Sequence, residues 1–173
     1  ISTGGGGVLI TNNHSLAKRA RHLSTTAKIN HPWNFDHDEI GWNDRLPNIN
    51  AALGASQMEV LEEKLASKRK LYEKYLYIFR DMQGLEVIKE SINCLSNHWL
   101  ISIVLKEKDR DKLKETRDLI LSLAHEKDIL LRPSWNLLNN LKMYINCPSG
   151  DLEVAQDQAF RIINLPSSPQ LLD

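Results

Sequence analysis

The 173 residues are enough for one ordinary domain or for part of a larger one. Lys and Arg number 22 and Asp and Glu number 22, so no basic field favours a nucleic-acid track or an anionic membrane surface. The longest apolar runs, such as residues 119–124, are too short to span a bilayer, and Ile1-Ser2-Thr3-Gly4 lacks the charged and apolar regions of a signal peptide.

Because the first residue is not Met, the chain is expected to be a processed, trimmed or excised piece. Cys94 and Cys147 form no CxxC pair, which points to two reduced thiols in a cytoplasmic protein rather than a disulfide framework. The six histidines are scattered, with no HExxH or paired-His helix, so no metal site is expected.

Gly4 to Gly7 precede Val8-Leu9-Ile10, which reads as a short buried strand over 8–11. Phosphate loops place their glycines before a helix, so this run is weak evidence for one. After an Asn12-Asn13 turn, a helix is expected from near Ser15, with Leu16, Ala17, Ala20 and Leu23 on one face. Residues 24–46 follow neither a helical nor a strand period. They carry Trp33, Phe35 and Trp42, and a long loop this aromatic is more often functional than idle. Asp36, Asp38 and Glu39 read as solvated loop acids, with a working carboxylate pair as the alternative.

Pro47 suits the first turn of a helix, and the pattern then stays helical to Gln83-Gly84. Ala51, Ala52, Gly54 and Ala55 offer a small-residue face, and the charged face of 62–70 reads as solvated. Strands are expected over 85–88 and 98–105. An amphipathic helix is expected over 108–128, with Leu113, Leu119, Ile120 and Leu123 inward. Residues 129–135 begin as a strand broken by Pro133, and 136–144 are ambiguous. Asp151 reads as the cap of a last helix running to about Ile163, followed by a proline-broken tail. The order after the long helix is β-β-α-β-α. A guanidinium held at a strand end by the following proline, as at Arg132, is a natural anion reader; a plain surface cation is the equal alternative.

Residues 38–62, DEIGWNDRLPNINAALGASQMEVLE, resemble a signature of the DegT-type nucleotide-sugar aminotransferases, through Gly41, Trp42, Asn43, Arg45, Pro47, Asn48, Asn50, Ala51 and Ala52. Asp44 stands for the usual aromatic residue and Leu46 for Met. Residues 1–11 are similar to the stretch directly after that family's cofactor lysine. Residues 129–144 resemble the Arg-Pro-x-Trp-x-Leu segment of a subgroup acting on UDP-linked 4-keto sugars in bacillosamine- and legionaminic-type pathways, with Asn139 and Asn140 where that subgroup carries a His. The resemblance covers nearly the whole chain but only the second half or so of such an enzyme.

The resemblance implies an α/β chain: the C-terminal part of the aspartate-aminotransferase-like fold (fold type I). Residues 1–46 would be a remnant of the large cofactor-binding domain and interface loop, and 47–173 the long helix and small α/β domain. It implies pyridoxal 5′-phosphate as cofactor, an amino acid such as glutamate and a UDP-sugar as substrates, and a homodimeric parent working in surface-polysaccharide biosynthesis. Asn43 and Arg45 would reach the phosphate of the partner's cofactor, with an ion pair to Asp38 or Glu39 as the alternative for Arg45. Arg132 and Trp135 would approach the nucleotide-sugar, with plain core as the alternative for Trp135. The Schiff-base lysine would immediately precede Ile1, so this chain alone is expected to be inactive. A non-catalytic module for dimerisation or partner binding is the competing hypothesis.

Overall fold

The computed structural model describes residues 1–172 and divides into two units, Ile1–Leu61 and Glu62–Asp173. No helix among the described residues is long and apolar enough to cross a membrane.

The first unit holds α1 (His14–Ser24) and α2 (Asn48–Glu59). Asn13 starts α1, its side-chain oxygen accepting from the amides of Ser15 at 2.9 Å and Leu16 at 3.2 Å. The strand expected over 8–11 does not form: Val8, Leu9 and Ile10 are exposed and no strand faces them. An extended segment needs a neighbour for its amides, and none is supplied within these residues. Ser2 and Thr3 are instead tied to α2. The Ser2 backbone N–H donates to Gln57 Oε1 at 3.0 Å, Gln57 Nε2 donates back to the Ser2 carbonyl, and Asn50 Nδ2 donates to the Thr3 carbonyl.

The aperiodic stretch after α1 doubles back on that helix. Thr26 N–H donates to Trp42 O at 2.9 Å, Trp42 N–H to Leu23 O at 2.7 Å, and Asp44 N–H to Ser24 O at 3.0 Å. Gly41 makes this approach possible, because a Cβ there would sit 2.5 Å from the backbone of Ala27. Ala27 is the unit's one buried apolar residue.

The second unit begins within α3 (Leu61–Phe79). The single long helix expected from Pro47 is therefore two: at Val60, φ −108° and ψ 12° leave the helical region, and the Val60 amide turns back to Met58 O. A short β1 (Leu85–Val87) follows Gly84, whose φ of +88° makes the turn that glycine alone adopts freely. Next come β2 (Ile101–Leu105), α4 (Arg110–His125), β3 (Arg132–Pro133), α5 (Glu153–Arg161) and β4 (Ile162–Leu165). The sheet order is β1-β2-β4-β3, with every pair antiparallel.

Ile101, Ile103 and Leu105 alternate inward on β2 and meet Ile163 and Leu165 of β4, Val87 of β1, Leu71 of α3 and Leu113 of α4. Two expectations are corrected on α4: Leu119 is 59% exposed and Leu123 48% exposed, while Ile120, Leu121 and Ala124 turn towards the core. The larger correction is β4. The last helix stops at Arg161, and the residues read as its end and tail form a central strand.

Candidate functional site

Asn43 lies in an isolated antiparallel bridge with Thr25, so the fold-back of the loop onto α1 sets its position. Two residues on, Arg45 lines a cleft of about 930 Å³ with Arg21, Ser24, Thr25, Asp44 and Gly7–Leu9. The ion pair weighed for Arg45 is absent: among the described residues its guanidinium has no carboxylate partner. Asp38 and Glu39 are engaged elsewhere, and they are not free solvated acids either. Arg19 grips both Glu39 oxygens, and Asp38 Oδ1 is 2.7 Å from His22 Nε2. The Arg19 contact holds the Glu39 carboxyl below the usual range, and the His22 contact does the same for Asp38. His22, Asp38 and Glu39 have ligand atoms within 4.8 Å of one another, but Arg19 already occupies both Glu39 oxygens, which describes a charge network.

Two guanidinium groups in one cleft, neither with a carboxylate partner among the described residues, suit a doubly charged phosphate. The phosphate end of pyridoxal phosphate therefore fits this donor set. No lysine lines this cleft among the described residues, so nothing here would hold the aldehyde end. Arg21 was not singled out in the sequence; it sits in a charged helical run, and only the fold-back puts it beside Arg45.

Arg132 is the first residue of β3, at the sheet edge, and is exposed. Leu131, Arg132 and Pro133 line an open hollow of about 610 Å³ with Ser122 and His125 of α4 and Glu126 just past its end. His125 Nε2 is 2.9 Å from Leu131 O. Trp135 is 65% exposed and stacks on Trp99, with ring centroids 6.1 Å apart, so it is not core. It borders a second cleft of about 390 Å³, shared with Arg110, Arg117 and Phe160. Both guanidinium groups lie over the Phe160 ring, at 5.1 and 5.3 Å. Arg132 and Trp135 thus flank β3 and its exit loop on neighbouring hollows.

Among curated proteins, the chain is 30% identical over 171 residues to a GDP-perosamine synthase of Escherichia coli O157:H7, covering 99% of this chain and 44% of that protein. Among solved structures it resembles the aminotransferase TlmJ from Streptoalloteichus hindustanus, with a TM-score of 0.83 at 22% identity over 98% of this chain and 44% of that one. It also resembles Spr1654 from Streptococcus pneumoniae in its pyridoxal-phosphate form, with a TM-score of 0.74 at 18% identity over 94% and 41% of the two chains. These likenesses establish the fold, a mixed α/β piece of the aminotransferase architecture, and the chain spans less than half the length of each relative. The signature over 38–62, the arginine-lined cleft and a family match that runs over residues 1–173 agree: the chain belongs to the DegT/DnrJ/EryC1/StrS aminotransferase family, whose chemistry depends on pyridoxal phosphate.

Proposed function

We propose that the protein containing this chain transfers an amino group from an amino acid, glutamate first among them, to a 4-keto sugar linked to a nucleotide. We place it in the cytoplasm, in the making of bacterial surface polysaccharide. The whole-chain family match carries the reading. In it, residues 1–46 belong to the large cofactor-binding domain and 47–173 carry the long helical region and the small domain. Bound pyridoxal phosphate supplies the electron sink that the carbon–nitrogen exchange needs.

This chain's own residues bind and orient. Arg45, with Asn43 beside it, holds the phosphate of the partner subunit's cofactor across a homodimer. The exposed Trp33, Phe35, Ile40 and Trp42 support that placement, since a loop tied down at its base presents its apolar side chains outward. Arg132 reads the anionic part of the nucleotide-sugar, and Trp135 offers it a flat face.

The protein with its upstream part is expected to convert a UDP-, GDP- or dTDP-linked 4-keto-6-deoxyhexose, with glutamate, to the amino sugar, read by the mass change of the product. No conversion of any of the three with any amino-acid donor would sink the reading. The 173 residues by themselves are expected to show no borohydride-reducible visible band with pyridoxal phosphate. Arg45→Ala in the longer protein is expected to weaken cofactor binding roughly tenfold to a hundredfold, the worth of a charge-assisted contact. Equilibrium titration of the apoprotein measures it.

A further inference from the structure

The edge strand that carries Arg132 is only two residues long. Pro133 pairs with Ile163 at a position whose N faces away from β4, and the next ladder bond is made by the Ser134 amide, which donates to Ile162 O at 3.2 Å. Beside it, on β4, Asn164 is a polar side chain only 7% exposed. Both ends of its amide are used. Oδ1 accepts from Ser102 Oγ at 2.7 Å, and Nδ2 donates to the Pro133 carbonyl at 3.3 Å. The pairings Ser102↔Asn164 and Arg132↔Asn164 put the three side chains in a row on one face of the sheet, the face opposite Ile103 and Ile163. A buried amide is costly unless bonded, and an apolar residue would satisfy the packing alone. The bonds it makes run across three strands and end on the carbonyl of Pro133, the residue after Arg132.

We propose that Asn164, braced by Ser102, is a positioning residue for Arg132: it clamps the short edge strand so that the guanidinium meets the anionic group of the nucleotide-sugar. This builds on the reading of Arg132 given above. The test uses the full-length protein loaded with pyridoxal phosphate and whichever of the UDP-, GDP- and dTDP-linked 4-keto-6-deoxyhexoses turns over. Asn164→Leu keeps the volume and removes the clamp; Ser102→Ala removes only the brace and keeps the fold if the first variant does not. Each is expected to raise KM for the sugar with kcat held within about twofold, Asn164→Leu by roughly tenfold and Ser102→Ala by less. Combined with Arg132→Ala, Asn164→Leu is expected to add nothing, because both act through one contact. Effects that multiply in the double variant, or a fall in kcat with KM unchanged, would overturn the proposal. If Arg132→Ala alone leaves KM unchanged, it is the reading of Arg132 that fails. If Arg132→Ala raises KM while Asn164→Leu and Ser102→Ala do not, only the positioning role fails.

Discussion

Single residues decide how tightly the loops of this chain are held. His98 is 6% exposed, stacks on Tyr72 at 4.3 Å, and has Nε2 3.4 Å from Glu90 Oε1. Burial pushes its imidazole below the ordinary value, Glu90 partly opposes this, and Arg69 and Lys68 on α3 add to it. A histidine depressed in the folded state is protonated more readily when unfolded. Its contribution is therefore complete above about pH 6.5 and is lost as the pH falls from there towards the folded value. Melting temperature is expected to fall across that window, and His98→Gln to flatten the slope. Gly41 shows the same dependence in steric form. Ala at this position would meet the backbone of Thr26 and Ala27 at 2.5 Å, so Gly41→Ala is expected to cost about 1–3 kcal/mol. It should also speed amide exchange at Ala27 and Trp42, which nuclear magnetic resonance reads directly. Asn43 and Arg45 were legible as candidates because a long motif surrounds them. That Arg45 lacks an ion-pair partner was not legible, since Arg19 and His22, which take the acids, lie about twenty residues away.

Elements were legible where period and cap agree. Asn13 and Asp109 cap α1 and α4, while at α5 the N-cap falls on Leu152, one residue after the expected Asp151, whose Oδ1 still accepts the Glu153 amide at 2.9 Å. The last strand was not legible, because β4 follows α5 with no turn residue between them. Arg161 sits at this junction. Its guanidinium donates to Leu105 O at 3.1 Å and Glu107 O at 2.6 Å, and pairs with Asp157 at 2.6 Å, tying the end of β2 to the start of β4. Arg161→Met keeps the stem and removes these bonds. It is expected to cost about 1.5–3 kcal/mol in denaturant unfolding. On α4 the inward face is set by Leu113, Ile120, Leu121 and Ala124, and the apolar Leu119 and Leu123 stay outside; a leucine-rich helix admits more than one stripe until a sheet selects one.

Across the whole chain, burial is uneven. Every residue of the main hydrophobic cluster, from Leu71 to Leu165, belongs to the second unit, whereas the first buries Ala27 alone among its apolar residues. Hydrogen exchange on the 173-residue chain is expected to protect β2, β4 and α4 most, and α2 and residues 1–11 least. Comparable protection in the two halves would contradict this. The second unit is also laced to its own C-terminal segment. Lys68, Ser67 and Tyr75 of α3 donate to the carbonyls of Ser167, Pro169 and Pro166, and burial lowers the Lys68 ammonium's pKa. The sequence by itself determined the family, the cofactor class and most helices, because motif spacing, caps and the 3.6-residue period are local properties of the chain. The tertiary structure decided which strand occupies the middle of the sheet, which acids are already paired, and which arginines line one cleft without a carboxylate partner. Those outcomes depend on partners far away in sequence, and a polypeptide acquires them only when its segments meet in space.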